Sequence, residues 1–173
     1  MERSVLLTAS LVLGLALMIA VILEPEGRRA LVAGLTDPLR GLDHFLALLA
    51  LGIWVGRLQD PNLWALPAAF LVGMASGFLL MVGQPPIPLA DVLVHVVLLG
   101  SLLSFVAAIL LPIRLPTREA ISTVAMVGGC HGYLHGHEVG WGAALWFGLG
   151  SLVAAALLLA VGVLVGLTSP RGN

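Results

Sequence analysis

The stretch WGAALWFGLGSLVAAALLLAVGVLVGL, Trp141 to Leu167, runs on without one charged side chain. About 20 apolar residues let a helix cross the hydrocarbon of a bilayer, so this segment is long enough to span with tilt. A helix that is apolar all round needs either a large protein core or lipid about it. The rest of the chain points the same way. Of 173 residues, 60% are hydrophobic and 10% charged, with a mean hydropathy of +1.09, whereas a soluble domain carries about a quarter charged residues. The composition predicts an all-α, polytopic integral membrane protein, a compact bundle of about six transmembrane helices with the lipid bilayer as its solvent.

Working outward from that segment, five further apolar runs divide the chain, giving expected spans at residues 5–23, 41–57, 63–83, 89–111, 119–136 and 141–167 of a single membrane domain covering 1–173. The first run ends at Glu24-Pro25-Glu26 without a small-residue cleavage site and is longer than a signal core, so a retained span is expected. Nearly all prolines fall between or at the ends of these runs; Pro67 lies in the first turns of its span, where its missing N–H costs little. The eight basic residues are all arginines. With six spans, Arg3, Arg57, Arg114, Arg118 and Arg171 share one side, and Arg28, Arg29 and Arg40 the other, which predicts both termini in the cytoplasm. A net charge of −1 and the absence of a basic patch exclude nucleic acid as a partner. Cys130, the single cysteine, cannot form an intrachain disulfide.

Small residues mark the packing faces. Gly52/Gly56, Gly73/Gly77 and Gly162/Gly166 are spaced by four, and Gly128, Gly132, Gly136 and Gly140 continue that spacing along the fifth span. Such ridges let membrane helices approach backbone to backbone. Packing within one chain is the expected use, with a homo-oligomer or a partner membrane protein as the alternative.

Ionisable groups inside spans are expensive, about +2.5 to +3.5 kcal/mol for an Asp at a helix centre, and those that remain need a reason. Three groups stand out: Asp37-Pro38-Leu39-Arg40-Gly41-Leu42-Asp43-His44, then Asp91 with His95, then Cys130-His131-Gly132-Tyr133-Leu134-His135-Gly136-His137-Glu138. The second and fourth spans begin on the outer side and the fifth ends there, so all three groups fall at one level. His131, His135 and Glu138 follow each other at four and three residues and share a helical stripe; Asp91 and His95 share a face by the same spacing. Imidazole nitrogens with carboxylate oxygens suit divalent first-row ions such as nickel, cobalt or zinc. The expected metal-handling set is therefore His44, Asp43, His131, His135, Glu138, Asp91, His95, Asp37 and His137, and no residue is expected to be catalytic. The plainer alternative is that these groups cap helices and hydrogen-bond across them.

Several residues are weighed singly. Asp37 before Pro38 fits a helix N-cap with proline at N1 better than a ligand. Cys130 reads as packing. Trp54, Trp64, Trp141 and Trp146 lie near span ends and read as interfacial anchors. Tyr133 is placed to orient His131 or His135, and Arg40 is within a turn of both Asp37 and Asp43.

Residues 38–47, PLRGLDHFLA, with Trp64-Ala65-Leu66-Pro67-Ala68-Ala69-Phe70 and His131-Gly132-Tyr133-Leu134-His135-Gly136-His137-Glu138, resemble the HupE/UreJ family over about Asp37 to Leu167. That family comprises small bacterial membrane proteins encoded near hydrogenase or urease genes and regarded as nickel, sometimes cobalt, permeases. The resemblance implies that Asp43, His44, His131, His135 and Glu138 handle the metal. One position departs from the family pattern, His, five residues, then Asp-His: Asp37 stands where that first His would be, which removes a nitrogen donor. Asp91 and His95 stand where the family often carries an acidic residue, and His95 would restore the lost imidazole.

Three functions follow as expectations. The first is a non-enzymatic permease with a divalent transition-metal ion, nickel or cobalt before zinc, as substrate or ligand, captured at an outer-facing His/Asp/Glu site. The second is an accessory or structural membrane subunit of a larger complex, with a vestigial or regulatory metal site. The third and weakest is an intramembrane zinc hydrolase.

Overall fold

The computed structural model describes residues 24–58, 64–111 and 117–169, together with Gly14. The expected first span, 5–23, lies outside the described residues apart from that one glycine. Among the described residues the chain is all helical: α1 (Pro25–Thr36), a 3₁₀ turn (Asp37–Leu39), α2 (Leu42–Leu58), α3 (Ala65–Met81), α4 (Pro88–Leu110), α5 (Thr117–His137) and α6 (Trp141–Thr168).

Helices α2 to α6 fall on the five apolar runs within this region. Helix α1 is additional and falls where the sequence suggested a connection. Pro25 sits in its first turn, where a missing N–H is harmless, beside the acidic Glu26. At 12 residues it is about 18 Å long, too short to cross about 30 Å of hydrocarbon alone. Two helices, α4 and α6, are long and apolar enough to cross a membrane; α1 with its 3₁₀ turn, joined to α2 at a 75° bend, makes a third candidate as one broken span. Helix α3 is apolar but shorter, at 17 residues. Helix α5 carries Arg118, Glu119 and three histidines and is not among the candidates.

Helices α3 and α5 share the most extensive interface, and α6 is flanked by α2 and α1. The glycine ridges account for both. A Cβ on Gly52 would lie 2.8 Å from Gly162 Cα, and one on Gly56 would lie 3.0 Å from Gly166 Cα, so two small-residue pairs close on each other where α2 crosses α6. On α5, a Cβ at Gly132 would run into the Met74 carbonyl oxygen of α3. The packing is intramolecular, as expected. The main core collects Leu51, Val55, Phe70, Val124, Ala155, Leu159 and Val163. Gly83, with φ +70°, makes the left-handed turn that stops α3 and brings the chain round to α4.

The tryptophan expectation divides. Trp64 and Trp141 are 61% and 67% exposed, as anchors should be. Trp54 and Trp146 are buried. Trp54 stacks on Phe105 at 6.0 Å, and the Trp146 ring lies over Gly27 of α1, whose missing side chain makes room for it. Cys130 packs half-buried against the core, in line with its expected role. At the far end from the 3₁₀ turn, Arg57 Nη1 donates to the Ile109 carbonyl oxygen at 2.6 Å and ties α2 to the end of α4.

Candidate functional site

The elbow between α1 and α2, the start of α4 and the end of α5 enclose a cavity of about 420 Å³. Its walls include Asp37, Asp43, His44, Asp91, His95, His135, His137 and Glu138, with Arg40 and Gly41 at the elbow. Eight of the nine side chains expected to handle metal thus line one space. The ninth, His131, lies just behind it, buried, with its ring 5.1 Å from that of His44.

The histidines follow a common rule. His131 sets Nδ1 at 3.0 Å from the Val127 carbonyl oxygen, His95 at 2.7 Å from that of Asp91, and His137 at 3.3 Å from that of Gln84. His44 Nδ1 lies 3.2 Å from the Asp43 carboxylate. Facing an acceptor, Nδ1 holds the proton and donates, so the neutral ring keeps its lone pair on Nε2. An outer oxygen that fixes tautomer and ring orientation is the usual arrangement for a metal-binding imidazole. Asp43, whose side chain is 57% exposed, meets His44 at the rim of the cavity.

His135 is the exception. Its Nδ1 lies 3.0 Å from Asp37 Oδ2 without forming a hydrogen bond, and both atoms are closed to solvent. Asp37, His135 and Glu138 each bring a ligand atom within 4.8 Å of the others, the spacing of a group able to share one cation. Asp37 makes no side-chain cap bond; it opens the 3₁₀ turn that ends α1, and the turn aims its carboxylate across to α5. The N-cap expected of Asp37 is thereby corrected: Pro38 enters the short turn, and α2 begins four residues further on, at Leu42. The imidazole that meets Asp37 is His135, while His95 stands on another wall of the same cavity.

Buried polar atoms without partners are rare in folded proteins and cost about 1–3 kcal/mol each. Here Asp37 Oδ2, His44 Nε2, Asp91 Oδ1, His135 Nδ1 and His137 Nε2 all belong to that class and all border one cavity. Arg40 forms no ion pair with Asp37 or Asp43 among the described residues, so the acceptors are not neutralised from within the elbow. The donor set, imidazole nitrogen with carboxylate oxygen, is that of a divalent first-row ion.

Local sequence gave no sign of the aromatic supports. Phe70 meets the His131 ring edge-on at 5.1 Å, and Phe147 packs 6.4 Å from that of His135. Tyr133 packs edge-on against His137 at 4.7 Å, not against the two histidines it was expected to orient. A second cavity, of about 330 Å³ between α3 and α6, is lined by apolar side chains and Ser151 and holds no ionisable group.

The chain matches the family model described as HupE / UreJ protein over residues 10–173. It is 33% identical over 143 residues to Protein HupE of Rhizobium leguminosarum bv. viciae, an alignment covering 81% of this chain and 71% of that protein. No solved structure matches it.

Proposed function

The chain belongs to the HupE/UreJ family, and from that membership together with the cavity we propose that it is a membrane permease for a divalent transition-metal ion, nickel or cobalt. The ion is substrate rather than resident cofactor, and the protein is not an enzyme. In this reading the family's six spans form one domain in a bacterial inner membrane with cytoplasmic termini, and the cavity opens outward. The observation that carries it is the meeting of Asp37 Oδ2 and His135 Nδ1 at 3.0 Å, two buried atoms with no hydrogen bond between them. A cation bound by both atoms would offset the cost of burying them.

Capture then proceeds by exchange of ligands. Exposed Glu138 meets the hydrated ion, Asp37 and His135 replace part of its water, and the bare Nε2 of His44 offers the next nitrogen toward His131. Cellular uptake of nickel and of cobalt by His44→Ala and His131→Ala tests the proposal: both variants are expected to lose uptake while reaching the membrane, and unchanged uptake in both would overturn it. The accessory-subunit reading draws on α4, which leaves Val92, Val96, Leu99 and Leu103 exposed along its length; a complex that survives gentle solubilisation with uptake intact in both variants would favour it.

A further inference from the structure

His137 follows His135 by two residues, so its side chain is turned by about 200° from the stripe that faces Asp37. Its Nδ1 donates toward the Gln84 carbonyl oxygen, so the neutral ring carries its lone pair on Nε2. That nitrogen faces Asp91 Oδ1 at 3.5 Å. Both atoms are closed to solvent and neither has a hydrogen-bond partner, and with the ring neutral both are acceptors. The ring is 10% exposed and is braced edge-on by Tyr133, so packing holds it beside Asp91. Asp91 sits in the first turn of α4, at the mouth of the cavity. His95, one turn on, has its own Nδ1 committed to the Asp91 carbonyl oxygen and carries a further bare Nε2 on the same helix face.

We propose that Asp91 and His137, with His95 beside them, form a second cation station in the cavity, apart from the group of Asp37, His135 and Glu138. It takes the same class of ion, a divalent first-row metal, through one carboxylate oxygen and imidazole nitrogens. The proposal rests on the capture reading above and adds that the cavity offers an ion two places to sit. Two like charges in one cavity repel, so an ion arriving at one station loosens the other, the multi-site arrangement by which binding and release are reconciled along a conduction path.

Equilibrium dialysis of the purified full chain in detergent against nickel chloride tests this. The parent is expected to bind about two nickel ions per chain, and both Asp91→Asn/His137→Gln and Asp37→Asn/His135→Gln about one, each variant removing a different station. If the first double variant binds as the parent does while the second loses its nickel, a proton and not a metal joins Asp91 to His137. The second station is then wrong and the capture reading stands. A parent that binds no nickel overturns both. His137→Gln alone, checked for helicity by circular dichroism, must lose the same ion if the double variant does not fold.

Discussion

Helix α5 has two faces one residue apart, about 100° round the helix, and they are built on opposite plans. On one, Gly128, Gly132 and Gly136 bring the backbone against the carbonyl oxygens of Phe70, Met74 and Phe78 on α3, with no room for a Cβ at any of the three. On the other, His131 and His135 face His44 with ring centres 5.1 and 5.4 Å away, and polar atoms there lack partners. The first face fills its space completely; the second leaves bonding capacity unused. The difference teaches that the second depends on the first. Side chains that face each other without a hydrogen bond keep their places only if the helix carrying them cannot slide, and close packing of backbone on backbone prevents that.

The comparison breaks most visibly on the glycine side. Gly132→Leu drives a side chain into the Met74 carbonyl, and a loss of at least about 3 kcal/mol is expected, read as a fall in thermal unfolding temperature in detergent with metal binding lost alongside. An unchanged unfolding temperature would show that the two faces are independent. On the histidine side the same separation predicts function without stability. Asp43→Asn alters a largely exposed carboxylate that orients His44, so unfolding should shift by no more than about 0.5 kcal/mol while nickel affinity falls roughly 10- to 100-fold by titration calorimetry. Equal affinity in the variant would mean that packing alone orients His44.

The smallest effect concerns Asp37, the departure from the family pattern. If His95 replaces the missing imidazole, His95→Ala weakens nickel binding by about tenfold or less, and Asp37→His added to it restores the loss. Binding that is the same in the parent, the single variant and the combination would remove His95 from that role.

Much of this architecture is legible in the sequence because lipid makes hydrophobicity a direct read-out of helix position. Helices α2 to α6 begin and end within a few residues of the apolar runs, and the stripe of His131, His135 and Glu138 follows from helical spacing alone. Helix α1 is not legible in the same way. It opens on Pro25-Glu26-Gly27-Arg28-Arg29, it is short, and it meets α6 through Gly27 and Gly34, so no long apolar run marks it. Missing α1 also misplaces Trp146, which reads as an interfacial anchor until a helix is laid over it. Asp37 fails for a related reason. Its role is decided by His135, 98 positions away along the chain, whereas a capping signal is decided by its immediate neighbours.

The 75° elbow between α1 and α2 carries one more consequence, for hydration. A helix hides its own amides, but a bend frees them, and within a bilayer free amides must be buried in protein or bathed by a water-filled space. Arg40 and Gly41, at the corner, form part of the cavity wall. The corner that delivers Asp37 to His135 thus also sets backbone beside a cavity large enough to hold water. In the proposed permease an incoming ion would then not need to shed its whole water shell at once; it would exchange solvent for side chains one molecule at a time.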